Sequence, residues 1–436
     1  MDGLNIHDLA QTLCRSTDTR AAEGVDKVKT NIIVQKFGGS SVKDGPTRLK
    51  ALQHVKLAVS QGNKVIVVVS AFRSRQTPYA TDALLNLVHG DQNKLSNRER
   101  DMLMSVGETI SATVFTELAR EQGLTAMALT GHDAGIITSN EFQNAKILKV
   151  DPQPIQNAFK KVDVVVVTGF QGATKNGQIT TLGRGGSDVS AVALGAALKT
   201  KRVDIFTDVE GIMTADPRLV THARCLKIIG YNELANLAIN GARVIHPQAV
   251  EIAKQANLPM HIRATYQSPT ELETLVTNQL APIKRYRSVT GIAHQTGLTQ
   301  FSVSTNEDTS AEIFQLLATH KLSIDFISIT RHRVVFNLVN GAASNAKKLL
   351  SRENIAYQTI TDCAKVSIVG AGMSGTPGIT ARIVTTLLAN HIDILQSADS
   401  YTTIWILIKQ SDLKTALNVL HDEFLNVYQH IKVQEQ

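Results

Sequence analysis

The sequence predicts an α/β fold in which a sandwich with a largely parallel central sheet is followed by two small βαββαβ units. Continuous apolar runs at 64–69, 162–167 and 204–207 are typical of central strands that are buried on both faces. Helical patterns lie between them, for example at 98–120 and 187–198. In the last third of the chain, a strand and helix pattern repeats after roughly 70 residues, which predicts the two smaller units.

Length and composition indicate the class of protein. With 436 residues, the chain is expected to form two to four domains. Its hydrophobic fraction of 43% and charged fraction of 19% are those of a soluble globular protein. No apolar run approaches the roughly 20 residues of a membrane span, and polar residues interrupt the N-terminus where a signal peptide would be apolar. We therefore expect no membrane association.

Charge and cysteine content narrow the partners and the compartment. The net charge of +7 is spread along the chain, and no basic run has interleaved aromatic residues, so nucleic acid is not an expected partner. The three cysteines, Cys14, Cys225 and Cys363, are too widely spaced for a zinc pattern or a disulfide framework. This cysteine usage favours a reducing compartment and a cytoplasmic protein.

Composition and pattern divide the chain into five segments. Residues 1–30 are polar and weakly periodic, and are predicted to be an N-terminal extension. Residues 31–265 carry the alternation of strands and helices. Residues 266–287 are rich in Ser, Thr, Pro and Asn and are predicted to be a linker. The two βαββαβ units, ferredoxin-like in pattern, are predicted at 288–361 and 362–436.

A dinucleotide-binding pattern occurs in the second βαββαβ unit. Gly370, Gly372 and Gly375 match Gly-x-Gly-x-x-Gly after a strand, and Asp393 follows at about the spacing of the ribose-binding residue. Only residues 376–436 remain after this pattern, too few for a doubly wound half and its partner. The sequence therefore favours a turn before a ligand-facing helix over a dehydrogenase site.

Two glycine-rich turns are the strongest functional signal. Residues 34–42 follow an apolar strand and contain Lys36 and two adjacent glycines. Residues 182–188 contain Arg184 and lead into a predicted helix. Paired glycines let backbone N–H groups approach oxyanions closely, and a helix N-terminus adds its dipole. The two turns predict phosphoryl transfer, although neither is a Walker A loop and the protein-kinase motifs are absent from the sequence.

Several short motifs, taken together in their order and spacing, resemble the aspartate kinase (aspartokinase) family, whose C-terminal units are ACT domains. The resemblance covers about 31–436. Within the family, the stretches 78–82 and 394–405 are most similar to the diaminopimelate-sensitive aspartokinase I type. The remaining motifs lie at 36–42, 107–108, 181–188, 206–211, 214–218 and 241–247.

The resemblance implies a fold and an activity. The first domain would have the amino-acid-kinase fold and would phosphorylate the β-carboxylate of L-aspartate with ATP, giving 4-phospho-L-aspartate. This reaction is the first step towards lysine and diaminopimelate, threonine and methionine. The acceptor carboxylate is already ionised at pH 7, so the reaction needs no general base. Catalysis then depends on positioning and on neutralising charge at the transferring group.

Residue types suggest roles in this reaction. Lys36 would neutralise the phosphoryl oxygens. Asp188 would orient Lys36 or accept at the active centre, and it could at the same time cap the following helix. Arg184 suits the α-carboxylate of aspartate because a planar guanidinium matches a carboxylate, and Glu108 suits the α-ammonium. His246 has no proton to move in this mechanism and is interpreted as structural. The expected contacts to aspartate are Thr81, Glu108, Arg184, Gly185, Gly186 and Ser187.

The resemblance also implies a nucleotide site and an effector site. Mg²⁺ would be held mainly by the ATP phosphates. The expected contacts to ATP are Lys36, Phe37, Gly38, Gly39, Ser70, Thr207, Asp208, Met213, Arg218, Arg243 and Val244. An amino-acid effector, meso-diaminopimelate first and lysine second, would bind Met373, Ser374, Gly375, Pro377, Gly378, Ser397 and Asp399.

Paired edges of the ACT units favour a homodimer or a higher homo-oligomer. The chain departs from the family pattern in three places: the loop 72–77 lacks glycine, Arg243 stands for Lys, and Gln248 stands for Arg.

Two alternative functions remain open from the sequence. One is an amino-acid kinase acting on glutamate or acetylglutamate, and the other is a non-catalytic amino-acid sensor on a kinase-like scaffold.

Overall fold

The structure, a computed structural model, consists of two compact units, which are described separately. The first unit takes its residues from Met1–Ile212, Cys225–Ala235 and Arg243–Leu280, and the second from Met213–Arg224, Asn236–Ala242 and Ala281–Gln436. The predicted N-terminal extension lies outside the described residues. The structure describes residues 31–73, 78–88, 94–242, 244–268, 271, 273–278, 288–305, 309–373 and 376–426.

The first unit alternates strands and helices, as its sequence predicts. Its strands are β1 (Ile32–Phe37), β2 (Lys64–Val69), β3 (Ala126–Leu129), β4 (Ile136–Thr138), β5 (Ile147–Val150), β6 (Val164–Thr168), β7 (Gln171–Ala173), β8 (Ile179–Thr181), β9 (Val203–Thr207), β10 (Ile228–Ile229), β11 (Met260–Ala264) and β12 (Thr274–Val276). Its helices are α1 (Gly45–Ser60), α2 (Thr81–Asn86), α3 (Asn97–Glu121), α4 (Gln153–Ala158), α5 (Gly186–Ala197), the beginning of α6 (Tyr231–Ile239), and α7 (Pro247–Gln255).

Eight of these strands form the central sheet, in the order β10-β12-β11-β9-β1-β2-β6-β3. The pairs are parallel except β11 with β12, so the prediction of a largely parallel sheet is confirmed. The helices predicted at 98–120 and 187–198 are confirmed as α3 and α5. A smaller four-stranded sheet has the order β5-β4-β7-β8.

Strand alternation directs neighbouring residues of β1 to opposite faces of the central sheet. Ile33 and Phe37 join the core beneath α1 and α3, where Leu52 and Phe115 are buried. Lys36, which directly precedes Phe37, points to the other face of the sheet, where its side chain pairs with Asp188 of α5. α5 is almost wholly buried because its residues are small or apolar. This alternation positions the charged residue of the first glycine loop.

The segment 266–287, predicted to be a linker from its polar composition, contains a strand of the central sheet. β12 pairs antiparallel with β11, and Thr274 accepts a hydrogen bond from the Ile212 backbone N–H at 2.9 Å. A three-residue strand is too short to show periodicity, so composition could not reveal it.

Within its described residues, the second unit contains one six-stranded antiparallel sheet, four α-helices and the end of α6. Its strands are β13 (Gly291–Ser304), β14 (Asp325–Thr330), β15 (Arg333–Val339), β16 (Tyr357–Val369), β17 (Gln396–Asp399) and β18 (Thr403–Lys409). Its helices are α8 (Thr309–Thr319), α9 (Asn340–Arg352), α10 (Ile379–Ala389) and α11 (Leu413–Leu425). The strand order is β14-β15-β13-β16-β18-β17.

The two βαββαβ patterns share strands rather than dividing at one residue. β13 pairs with β16 in both of its halves, and its second half also pairs with β15. The end of β16, which pairs with the first half of β13, pairs in turn with β18. Ile292, near the beginning of β13, is therefore in the core of the second pattern, with Ile383 and Leu417. The predicted division between 288–361 and 362–436 therefore does not match the strand pairing, because the long strand β13 contributes to both patterns.

The core of the second βαββαβ pattern also contains residues from the earlier part of the chain. Ala215 and Val220 pack in it. Thr214 Oγ1 lies 2.9 Å from Nε2 of buried His421, and Arg224 Nη2 donates to the Leu425 carbonyl at 2.7 Å. The segment Met213–Arg224 thus belongs to the second unit, although the sequence predicts it within the domain 31–265.

Candidate active site

A cavity of about 830 Å³ lies in the first unit, beyond the carboxyl ends of β1 and β2 and at the beginning of α5. Ligands of open parallel sheets usually bind at this edge. Both glycine-rich loops contribute to its lining. The residues predicted from the sequence that line this cavity are Lys36, Gly39, Ser70, Thr81, Glu108, Arg184, Gly185, Gly186 and Ser187.

The first glycine loop forms a tight turn directly after β1. Gly38 precedes a 3₁₀ turn at Gly39–Ser41, and the Ser41 N–H donates to the Gly38 carbonyl at 2.8 Å. A Cβ on Gly39 would lie 2.6 Å from the Ala71 carbonyl oxygen, so a side chain does not fit there. The Arg73 N–H donates to the Gly39 carbonyl at 3.1 Å, which joins this loop to the segment after β2.

Lys36 and Asp188 form an ion pair between the two loops. Lys36 Nζ lies 2.7 Å from Asp188 Oδ1, and both side chains are largely buried. Asp188 Oδ2 also accepts from the His246 backbone N–H at 3.1 Å. The N-cap position of α5 is occupied by Gly185, so Asp188 orients Lys36 from the first helical turn rather than capping the helix. Among the roles expected for Asp188, the structure therefore favours orientation of Lys36 over capping of the helix.

The second glycine loop approaches a histidine closely. Gly185 has φ +72°, and a Cβ there would lie 2.6 Å from His246 Cδ2. His246 begins α7 as its N-cap, with Nδ1 accepting from the Gln248 N–H at 3.3 Å. Burial lowers the pKa of His246. These contacts give His246 a packing role, in keeping with its interpretation as structural.

A hydroxyl pair links the end of β2 to the second glycine loop on the cavity side. Ser70, which follows β2, donates from its hydroxyl to the Ser187 hydroxyl at 2.9 Å. Ser187 lies in the first turn of α5, where the helix dipole is positive. Arg184 is exposed in the loop before this turn and lines the cavity. The arrangement offers cationic and helix-terminal groups to an anionic ligand.

Glu108 is a buried carboxylate with an unsatisfied oxygen. It lies on α3, which begins with a capping box of Ser96 and Glu99. Glu108 is only 3% exposed, and Oε1 accepts from the Ala71 N–H at 3.0 Å. Oε2 is buried and has no hydrogen-bond partner among the described residues. Burial raises the pKa of Glu108 to about 8, although the Ala71 hydrogen bond opposes the shift. A ligand ammonium would satisfy this oxygen.

The cavity contains two cations that the sequence did not single out as site residues. Arg73 comes from the loop after β2, and Arg100 from α3. Arg100 and Met104 precede Glu108 by two turns and one turn, so all three share one helix face. This spacing was the available signal for Arg100. Nothing local distinguishes Arg73 from a solvated loop residue.

The residues expected at the nucleotide lie in different parts of the structure. Thr207 ends β9, beside β1, and its hydroxyl donates to Asp208 Oδ1 at 3.1 Å. The Phe37 ring stacks on Phe206 with ring centroids 4.5 Å apart, so only its backbone can face a ligand. Val244 is half-buried in the turn before α7.

Three further residues that were expected to contact ATP are not part of the described site in the first unit. Met213 and Arg218 are in the second unit, where Arg218 pairs with Asp216 at 2.7 Å. Arg243 lies outside the described residues. So does most of the loop 72–77, which differs from the family pattern by lacking glycine.

The expected effector residues lie in the second unit. Met373 is buried in the core, so its side chain has a packing role. Gly378, at φ +90°, is the N-cap of α10, and Pro377 beside it is exposed. Ser397 and Asp399 are exposed on β17, a strand at the edge of the sheet. Ser374 and Gly375 lie outside the described residues.

The described residues contain neither a metal-binding cluster nor a membrane-spanning helix. No group of three or more His, Cys, Asp or Glu residues in the described chain could hold a metal ion. Within the same residues, no helix is sufficiently long and apolar to span a membrane.

The fold and the two-loop cavity define a phosphotransferase of the amino-acid-kinase class that carries ACT domains. The model of the amino acid kinase family matches residues 31–264, and a model of the ACT domain matches 358–422. The first match covers more than half of the chain. It includes both glycine-rich loops and the cavity.

The chain belongs to the aspartokinase family and is an aspartate kinase. It is 48% identical to aspartokinase 1 of Bacillus subtilis, over 90% of this chain and 98% of that protein. It is 38% identical to the aspartokinase of Geobacillus stearothermophilus, over 90% of this chain and 97% of that protein. The enzyme phosphorylates aspartate and is regulated through its ACT domains, and kinase activity of this kind implies ATP and Mg²⁺.

Solved structures agree on the fold. E. coli aspartokinase III in complex with aspartate and ADP matches with a TM-score of 0.76 and 24% identity, over 90% of this chain and 99% of that one. The same enzyme with lysine and aspartate matches with a TM-score of 0.73.

Proposed function

We propose that the 830 Å³ cavity holds the β-carboxylate of aspartate against the γ-phosphate of ATP beside Lys36. A carboxylate oxygen forms a bond to the γ-phosphorus while the bond from that phosphorus to the β,γ-bridging oxygen breaks. The products are 4-phospho-L-aspartate and ADP. No proton is transferred, because the acceptor is ionised and the leaving diphosphate remains an anion. The side chains therefore contribute charge and position rather than a base.

Lys36 and the first glycine loop are assigned to the transferring group. The support is the ion pair of Lys36 with Asp188, which holds the ammonium above the loop. A Cβ placed on Gly38 would lie 3.5 Å from Lys36 Nζ. An ammonium held there neutralises charge that spreads over the phosphoryl oxygens in the transition state. Ser70 and Ser187 add hydroxyl groups on the same side of the cavity.

Recognition of aspartate is assigned to charges of opposite sign. The unpartnered oxygen of Glu108 would accept from the substrate ammonium, and Arg184 would bind the α-carboxylate in a planar, two-bond arrangement. Thr81 begins α2 at the cavity wall and would add a hydroxyl contact, with Gly185 and Gly186 supplying backbone.

ATP would lie along the ends of β1 and β9, against Gly39, Thr207 and Asp208. Mg²⁺ would enter with ATP and neutralise the β- and γ-phosphates, held mainly by phosphate oxygens and water. The chemistry of the cavity fits this arrangement, because it supplies cations and glycine backbone to the phosphates. Met213, Arg218, Arg243 and Val244 are proposed nucleotide contacts on the family resemblance.

The observation that carries the assignment is the unsatisfied Glu108 oxygen in the same cavity as Arg184 and Lys36. We would measure ATP turnover with aspartate, glutamate, acetylglutamate and the α-amide of aspartate. Aspartate should be the best substrate. Acetylglutamate should fail because it lacks the ammonium, and the α-amide should be poor because it lacks the α-carboxylate. Equal turnover of aspartate and its α-amide would contradict recognition of the carboxylate.

We further propose that the second unit binds an amino-acid effector and joins two copies of the chain. The family resemblance of residues 78–82 and 394–405 makes meso-diaminopimelate the first candidate and lysine the second. Support for a homodimer comes from the outer strands β14 and β17, which are sheet edges, and from exposed Ile327 and Ile329 on β14. Sedimentation velocity of the full chain should give a dimer or larger species, and a monomer at micromolar concentration would refute this assignment.

A further inference from the structure

Asp101 is a fully buried carboxylate that the proposed chemistry does not use. It is 0% exposed and lies on α3. Its oxygens accept from the Thr181 N–H at 2.8 Å, the Thr181 hydroxyl at 2.8 Å and the Gln143 N–H at 2.9 Å. Burial raises the pKa of Asp101, and these hydrogen bonds oppose the shift. A buried carboxylate is costly unless such donors surround it, so this cluster is a specific anchor.

The two segments anchored by Asp101 form the wall of the cavity. Thr181 and Gln143 both line the cavity, whereas Asp101 lies behind them. The Ala145 N–H donates to the Thr181 carbonyl at 2.9 Å, which joins the segments to each other. Gln143 has φ +70°, a conformation that costs energy for a residue other than glycine and needs support from its surroundings.

The anchored wall leads directly to Arg184. Thr181 ends β8 and precedes Arg184 by three residues. Between them, a Cβ on Gly183 would lie 3.3 Å from the Asn144 side-chain oxygen and 3.4 Å from the Gln143 carbonyl. The base of the second glycine loop is therefore packed against the segment that Asp101 holds. A movement of Thr181 would move Arg184 with it.

The same helix carries the group assigned to the other end of the substrate. Asp101 lies seven residues before Glu108, which is about 10 Å along a helix axis. A helix is stiff over two turns, so α3 fixes the base of the Arg184 loop relative to Glu108.

We propose that Asp101 is a positioning residue that sets the distance between Arg184 and Glu108 and so selects a substrate with both an α-carboxylate and an α-ammonium. This inference rests on the proposed role of Arg184.

The test is steady-state kinetics of the full chain with aspartate and with its α-amide. Asp101→Asn replaces an acceptor oxygen with an NH₂ group that faces N–H donors, and Thr181→Val removes only one donor. Asp101→Asn should raise the KM for aspartate about tenfold or more, and Thr181→Val should raise it a few-fold. The KM for ATP should change less than about threefold, and kcat/KM for the α-amide should change little.

A matched control pair lies at the opposite end of the central sheet. The Thr125 hydroxyl donates to Asp163 at 2.8 Å, just before β6 and away from the cavity. Thr125→Val removes the same kind of hydroxyl-to-carboxylate hydrogen bond as Thr181→Val, and Asp163→Asn also removes the charge that pairs with Lys64. They should leave the ratio of kcat/KM for aspartate to that for the α-amide unchanged.

The decisive measurement places Asp101→Asn in an Arg184→Ala background. If Asp101 acts through Arg184, the second change should raise the aspartate KM less than about twofold further. If Arg184→Ala alone leaves the aspartate KM unchanged, the proposed function of Arg184 fails and this inference with it. If Arg184→Ala raises that KM but Asp101→Asn does not, or affects ATP and both acceptors equally, only the positioning role is overturned. Should Asp101→Asn fail to fold, Thr181→Val in both backgrounds gives the same decision.

Discussion

At the scale of single residues, Lys36 shows how strand alternation directs a charged side chain into the cavity. Its neighbours on β1, Gln35 and Phe37, face the opposite side of the sheet and are buried there. Lys36 faces α5 and pairs with Asp188 at 2.7 Å. The sequence predicted both residues in the site. It also offered orientation of Lys36 as one role of Asp188, but it could not choose between that role and helix capping, because the two residues lie far apart in the chain and only the packing of α5 on β1 brings them together.

Replacing Lys36 should mainly slow the chemical step. Lys36→Ala should lower kcat by about 100-fold or more and change the KM for aspartate less than about threefold, because the lost charge acts in the transition state. Lys64→Ala is a matched control, since Lys64 is also a strand lysine paired with an aspartate, Asp163, at 2.8 Å. Near-normal turnover of Lys36→Ala would remove Lys36 from the mechanism.

The pKa of Glu108 predicts a pH-dependent affinity for aspartate. Burial raises this pKa to about 8 in the ligand-free protein, so the carboxyl is mostly neutral at pH 7. An ammonium binds the ionised form, so binding must release a proton at pH values below about 8. The KM for aspartate should therefore fall as pH rises towards 8, by up to about tenfold per unit, and then level off.

Glu108→Gln provides the control for this pH dependence. The amide does not titrate, so its higher KM should be nearly independent of pH in the same window. A flat pH profile in the unmodified enzyme between pH 6 and 8.5 would show that Glu108 is already ionised without aspartate.

At the scale of elements, the second glycine loop depends on close contact with His246. Gly185→Ala should destabilise the protein by about 2–4 kcal/mol, since it adds a left-handed alanine and an overlap with His246. Gly177→Ala is the control, because Gly177 has φ +76° and nothing within 4 Å of a Cβ. It should cost only about 1–2 kcal/mol. Urea unfolding measures both, and equal losses would show that the contact with His246 relaxes freely.

Elements with a strong local pattern were predictable, and elements defined by distant partners were not. β2 and α3 agree with the sequence to within one residue, because a continuous apolar run and a capped, periodic helix are local signals. β12 was missed because three residues carry no period. β13 was assigned to one βαββαβ unit, since sequence alone does not show that β16 pairs with both of its halves whereas β15 pairs only with its second half.

At the scale of the whole molecule, the second unit is not made of the C-terminal residues alone. Ala215 and Val220 complete its core, and Thr214 and Arg224 bond to residues of α11. This placement was not predictable, because apolar residues in a loop do not reveal which core they join. A fragment of residues 288–436 would lack these contacts. Effector binding should therefore be measured on the full chain.

Calorimetry of the full chain should detect binding of meso-diaminopimelate, with lysine the next candidate and threonine the comparison. Both candidates carry a second ammonium group, for which Asp399, exposed on β17, is a suitable partner. Asp399→Asn should weaken binding about three- to tenfold and raise the effector concentration needed for inhibition by the same factor. Asp362→Asn, which alters another exposed carboxylate of the same unit, should change neither.

Inhibition also requires that the effector bind an inactive arrangement more tightly than the active one. A binding effector that does not inhibit would therefore identify a site without regulatory coupling. No binding and no inhibition by any of the three amino acids would leave the second unit with only an assembly role. If Asp399→Asn and Asp362→Asn weaken binding equally, the effect is general electrostatic attraction rather than recognition at β17, because two separated surface carboxylates would then be equivalent.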